Sequence, residues 1–269
     1  ARWTIRTDRG DEFRARFVAM GTGPLGAFTT TLFSALTTSQ LFALSSTQAQ
    51  SLNSAQIISL TTGQIGGLST DTLATFNSAQ SAKFEPEDFS ALNSFQIRAL
   101  STLAIAGLTE DQLAGLTTNQ AASLSTSQLS TLTSTQVLSL NTGALIQLSS
   151  GQIRALSTAS TAALSSDQIA SFTTGQLFGF SSAQAQALTS VQIVALSTDQ
   201  IPGLSADTLN AFSAAQIGTL QTDDFTQLNS GQIKALSTTS VSALTTVQID
   251  ALTSLQIRAL STLQVATLS

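Results

Sequence analysis

Large apolar residues recur at a fixed spacing along almost the whole chain. From Phe28, a Leu or Phe returns every eight positions, through Leu36, Leu44, Leu52, Leu60 and Leu68 to Leu268, without insertion or deletion. Residues 28–267 therefore hold 30 complete octads with the consensus L-[ST]-[ST]-x-Q-[IL]-x-A. Position 2 is Ser, Thr or Asn in 28 octads and position 5 is Gln in 21. Position 6 is large and apolar in 25, and position 8 is Ala, Gly, Ser or Thr in 27. Repetition this strict marks an architecture in which each unit buries its apolar face only against neighbouring units.

Each octad reads as one helix start. In Leu52-Asn53-Ser54-Ala55-Gln56-Ile57-Ile58-Ser59, Asn53 is the N-cap and Gln56 falls at N3, the spacing of a capping box. Leu52 and Ile57 then flank the cap as a hydrophobic staple. The same register makes Ser101, Ser157 and Ser197 caps and sets Gln200 at N3 of its own unit. It assigns Leu44, Leu52, Ile57, Leu60, Ile97, Leu100, Ile153, Leu156, Ile193, Leu196, Ile233, Leu236, Ile257 and Leu260 to the core. The small residue at position 8 lets the chain turn closely into the next unit. One continuous helix is excluded, because eight residues at about 3.6 per turn drift by about 80° per octad and the Leu row would face no single core. Helices this short do not hold in water alone, so stacking must stabilise them. Each buried Leu or Ile contributes about 1.5–3 kcal/mol against an ordering entropy of similar size.

Charge placement supports helices over a β-helix. Of 12 acidic residues in the octads, 11 lie at positions 2 to 5: Asp71, Glu85, Glu87, Asp88, Glu110, Asp111, Asp167, Asp199, Asp207, Asp223 and Asp224. The exception is Asp250. All five basic residues, Lys83, Arg98, Arg154, Lys234 and Arg258, occupy positions 7 or 8. Acids at helix N-termini and bases at C-termini is what the helix dipole favours.

The octads also vary with a longer period. Residues 41–52 (LFALSSTQAQSL) match 177–188 (LFGFSSAQAQAL), 68–76 match 204–212, and 88–100 match 224–236, always 136 residues apart. Duplication of a block of 17 octads accounts for this, and the same block would suit a geometric unit such as a superhelical turn.

The first 27 residues differ in character and hold half of the ten basic residues. Alternating Trp3-Thr4-Ile5-Arg6-Thr7, the turn-prone Asp8-Arg9-Gly10-Asp11, and Phe13 to Met20 read as a β-hairpin. Residues 2–25, RWTIRTDRGDEFRARFVAMGTGPL, resemble a stretch of Baeyer–Villiger-type flavoprotein monooxygenases, in which such a hairpin leads into a strand ending in a GTGPL-like turn. The resemblance implies a β element here. That family's activity needs flavin and NADPH domains and a GxGxxG fingerprint, none of which follows, so no catalytic or cofactor role carries over. The domain organisation expected is a hairpin cap over 1–27 and an octapeptide array over 28–269. Leu268-Ser269 stops inside an octad, as a slice of a longer protein would.

Composition narrows function. The 269 residues include no His, Cys or Tyr, and only 9% are charged. Without His the usual acid–base at neutral pH and the commonest metal ligand are missing, and no Ser has a base beside it. Without Cys there is no disulfide or thiolate chemistry. A net charge of −5 disfavours nucleic acid and anionic lipid. No apolar run is long enough to span a membrane. Asp223-Asp224 and Glu87-Asp88 could pair as acid and base or bind calcium, but they read more simply as first-turn acids, since calcium-loop ligands and glycine are missing. Arg98, Arg154, Lys234 and Arg258 share a QIRAL or QIKAL context, either as solvated helix-end charges or as a sparse row for anions, sugars or a neighbouring fibre.

The fold expected is an all-α solenoid of very short capped helices with an N-terminal β-hairpin. The octads resemble Leu/Ser/Thr/Gln-rich repeat tracts of giant bacterial surface proteins. The expected role is structural: an extracellular or cell-surface filament, fibre or adhesin stalk, self-associating or continuing in a longer chain. O-glycans on Ser and Thr are a further expectation; no enzyme activity, cofactor or metal is. A solenoid that binds a peptide or glycan is the alternative. A nucleic-acid reader and an ice-binding hydroxyl lattice rank below it.

Overall fold

The computed structural model describes the backbone of residues 3–6, 12–15 and 29–268, with side chains over 29–268. Two four-residue strands, Trp3–Arg6 and Glu12–Ala15, pair antiparallel with Trp3 opposite Ala15 and Arg6 opposite Glu12. The turn expected at Asp8–Asp11, the stretch to Met20 and most of the cap segment lie outside the described residues.

Residues 29–268 are all-helical, one helix of four to six residues per octad, from Thr30–Ser34 to Thr262–Val265. Position 2 is the N-cap throughout, with extended backbone, and the helix starts at position 3. In Ser54–Ile58, the Asn53 side chain accepts from the Gln56 amide at 3.0 Å while Gln56 Oε1 accepts from the Asn53 amide at 3.0 Å. Ser101 and Ser157 cap their helices without that reciprocity, because Ala104 and Ser160 stand at N3. One unit departs from α geometry. Thr198–Gly203 is a 3₁₀ helix, because Pro202 has no N–H to return to the Thr198 carbonyl. There Gln200 Oε1 still accepts from the Ser197 amide at 2.8 Å.

The chain forms two units, Ala1–Leu132 and Thr133–Ser269. Within each, a helix packs on the helix three octads further along, so three successive octads make one layer and the helices stand in three columns. In the first unit Thr30–Ser34, Ser54–Ile58, Ser78–Ser81, Thr102–Ala106 and Thr126–Leu129 form one column. In the second, Ser134–Ser139, Thr158–Ala163, Ser182–Ala187, Ala206–Ala211, Ser230–Ala235 and Ser254–Ala259 do.

Positions 1 and 6 fill the space between columns. Leu44, Leu52, Ile57, Leu60, Ile97 and Leu100 are buried in the first unit, and Ile153, Leu156, Ile193, Leu196, Ile233 and Leu236 in the second. Two assigned core residues differ: Ile257 is 53% exposed and Leu260 is only half-buried. Among the described residues no helix three octads further along packs over them. Aromatic residues at position 1 meet at corners, as Phe76 and Phe84 do, stacked at 5.7 Å.

The small residue at position 8 has a different partner from the one its sequence suggests. At Gly67, Gly107, Gly179 and Gly203 it faces position 3 of the layer before, whereas Gly115 meets only carbonyls of its own helix. A Cβ on Gly67 would sit 2.7 Å from Thr38 Cα, and one on Gly203 would sit 2.6 Å from Thr174 Cα. Position 8 thus sets how closely successive layers approach.

Candidate functional site

The most regular chemistry in the molecule is the buried glutamine at position 5. Its carbonyl oxygen closes the cap of its own helix, and its amide nitrogen reaches the preceding layer. Gln112, 1% exposed, accepts from the Thr109 amide at 2.8 Å and donates to the carbonyls of Ser81 at 2.9 Å and Phe84 at 2.7 Å. Gln80 and Gln128 in the first unit repeat the pattern, as do Gln192, Gln232 and Gln256 in the second. In these residues the acceptors lie 31 and 28 residues back, whereas Gln64 reaches Ser34 and Leu36, 30 and 28 back.

Those carbonyls lie at the end of a short helix, where acceptors outnumber backbone donors. The Ser81 carbonyl also accepts from the Phe84 amide at 3.4 Å, so the glutamine gives it a second bond. One side chain thereby satisfies a helix N-terminus and a helix C-terminus in different layers. Only a primary amide can do both. A glutamate would serve the capping box equally well but would turn a negative oxygen toward two carbonyls. Position 5 is never Glu. That omission is the signal in the sequence for a second, donor role, which capping logic alone does not reveal.

The four cations are exposed in the last turns of their helices. They do not form one row. In the second unit, Lys234 and Arg258 lie on adjacent helices of one column, while Arg154 lies on another. The spacing from Arg154 to Lys234 is not a whole number of three-octad layers. Arg98 lies in the first unit.

The acidic pairs are split by burial. Glu87 and Asp223 are exposed, whereas Asp88 and Asp224 occupy the buried glutamine position at 7% and 3% exposure. Asp88 accepts from the Thr62 hydroxyl at 2.6 Å. Burial pushes the Asp224 carboxyl above the usual carboxylate range; a long bond from the Gln221 amide opposes this and the neighbouring Asp223 adds to it. Among the described residues no cluster of His, Cys, Asp or Glu is arranged to hold a metal ion. No helix there is long and apolar enough to cross a membrane.

The fold and its glutamine bonds define a repeat-tract protein built from short capped helices. The ALTTAQ repeat model matches residues 81–118, 140–174, 217–254 and 225–262, the last two overlapping at an offset of eight residues. None of these segments falls within residues 2–25. No curated protein matches the chain.

Proposed function

We propose that this repeat tract is a structural solenoid, a segment of an extracellular or cell-surface filament, fibre or adhesin stalk, without catalytic activity. The observation that carries the reading is the position-5 glutamine bonding. Each layer presents to the next the same pair of carbonyls at the same offset, so the array extends without a dedicated interface at any point. Stability then grows by repetition, as in other linear arrays. The bonds are buried and uncharged, hence little affected by salt or by pH near neutrality, which suits a body exposed to changing surroundings. The partner fitting this chemistry is more of the same repeat, in a second copy or a longer chain. The exposed Ser and Thr at position 3 are accessible to O-glycans.

Electron microscopy of the purified full chain tests this. Rods or fibres of constant width are expected, and a compact, monodisperse globule overturns the reading. Intact mass of material from its native source checks the glycans, which add to the 27.8 kDa of the polypeptide.

A further inference from the structure

Positions 4 and 7 vary freely in the octads, and the columns bring them together at corners. One corner of the second unit forms a cleft of about 140 Å³ lined by Arg154, Phe178, Phe180, Ser181, Ser182, Ser205 and Asp207. Arg154 and Phe178 end stacked helices of one column, while Ser182 and Asp207 begin stacked helices of the next. The Phe178 ring is 66% exposed although Phe180 beside it is buried. Among the described residues, neither the Arg154 guanidinium nor the Asp207 carboxylate has a hydrogen-bond or ion-pair partner. An outward aromatic face and two unpaired charges of opposite sign therefore converge on one small cleft.

The long repeat supplies an independent observation. Phe42, Ser45, Ser46, Ser69 and Asp71 stand 136 residues before Phe178, Ser181, Ser182, Ser205 and Asp207, so five of the seven lining positions are identical. Leu44 stands for Phe180, and Val18 for Arg154. Among nearby exposed positions of the same octads, Thr47, Thr70 and Ala74 give way to Ala183, Ala206 and Asn210, while Thr38 and Gln50 match Thr174 and Gln186.

We propose that this cleft binds one pyranose ring of a glycan. A purely apolar ligand would leave both charges unsatisfied, and a simple ion would meet one charge of its own sign. A pyranose offers what the walls need. Its C–H face lies on the Phe178 ring, one pair of vicinal hydroxyls donates to Asp207, and another hydroxyl or the ring oxygen accepts from Arg154. The cleft holds a single ring, so affinity per site is weak, and repeated sugars along a chain or surface would bind by avidity.

The test is a titration of the full chain with methyl β-glucopyranoside, methyl β-galactopyranoside and methyl α-mannopyranoside, read by saturation-transfer and protein-observed NMR. At least one glycoside is expected to bind with Kd of about 1–10 mM, the range for so small a ligand at ordinary efficiency. Phe178→Ala, Asp207→Asn and Arg154→Gln should each weaken binding at least about tenfold. Because all three side chains are exposed, the thermal transition should move only slightly, by no more than the loss of the helix-end charges at Arg154 and Asp207 explains. Shifts at residues 178–182 and 205–207 should accompany binding in the wild type. No binding by any glycoside overturns the proposal, as does unchanged binding in Phe178→Ala and Asp207→Asn. Binding of the zwitterion glycylglycine in the cleft without any sugar overturns it too.

Discussion

Replacing Gln112 by Glu isolates the role assigned to the position-5 amide. The change is isosteric, and it keeps the oxygen that accepts from Thr109 at 2.8 Å. It removes the two donors to Ser81 and Phe84, at 2.9 and 2.7 Å, and puts a carboxylate oxygen against those carbonyls. Two lost hydrogen bonds cost about 1–3 kcal/mol together. Burying a charge that keeps only the Thr109 amide as donor adds about 2–3 kcal/mol, even after relaxation. Gln112→Glu should therefore destabilise by about 3–6 kcal/mol at pH 7, and Gln112→Leu, which loses the bonds but adds no charge, by about 2–4 kcal/mol. Folding raises the introduced carboxyl above its ordinary value. Its penalty is therefore full at neutral pH and shrinks as pH falls through that raised value. Guanidinium unfolding followed by circular dichroism, with hydrogen exchange at residues 81–92, measures both. Gln50→Glu, at an exposed position 7, is the control and should stay within about 0.5 kcal/mol of wild type. If Gln112→Glu matches that control and shows no pH dependence, the amide does not hold the layers together.

Asp224 occupies the same position with no amide and a raised carboxyl. Its folded-state value lies above the unfolded one, so the proton it takes up stabilises fully below the ordinary carboxylate value. That contribution is lost as pH rises through the raised value. Asp224→Gln should gain about 1–3 kcal/mol at pH 7 and abolish this dependence, read as the melting difference between pH 7 and pH 4. Gly67→Ala should cost about 1–3 kcal/mol, because its Cβ would meet Thr38 Cα at 2.7 Å in the preceding layer. Gly63→Ala has open space inside a helix and should gain about 0.5–1 kcal/mol in the same denaturation assay.

The features legible in the sequence are those settled within a few residues. The octad period, the caps at Asn53, Ser101 and Ser157, and the shortness of the helices all follow from local spacing and cap chemistry. The angle between successive octads does not, because no local signal encodes how far the chain rotates at each Leu. Three octads per layer emerges only when Gln80 finds Ala49 and Leu52. Without that count, Arg98, Arg154, Lys234 and Arg258 look alike in context yet cannot be assigned to columns. Pro202 is visible in the sequence, but its effect on helix type depends on the missing bond to Thr198. The exposure of Ile257 reflects packing that spacing alone does not show: among the described residues no helix lies three octads beyond it. The cleft at Phe178 is equally hidden, since its walls come from octads far apart in sequence.

The departures from glutamine bear on how the array tolerates variation. Where Ala104 replaces Gln, the Phe76 carbonyl, 28 residues before it, is still satisfied. Ser101 Oγ, the cap of the same helix, donates to it at 3.1 Å. Ser81 in turn donates to the Ala104 carbonyl at 2.7 Å. Where Asp88 stands, the Thr62 hydroxyl supplies the donor that a carboxylate needs. Thr72 and Ser240 reach back 28 residues themselves, at 3.5 and 3.4 Å, and so recover only a weak bond. The abundance of Ser and Thr therefore has a second consequence beyond capping: a hydroxyl stands within reach at each of these positions where the amide is lost. Because these repairs are local to neighbouring layers, a single substitution need not propagate along the stack. That leaves positions 4 and 7, which face outward and enter none of these bonds through their side chains, free to carry whatever chemistry distinguishes one corner from another.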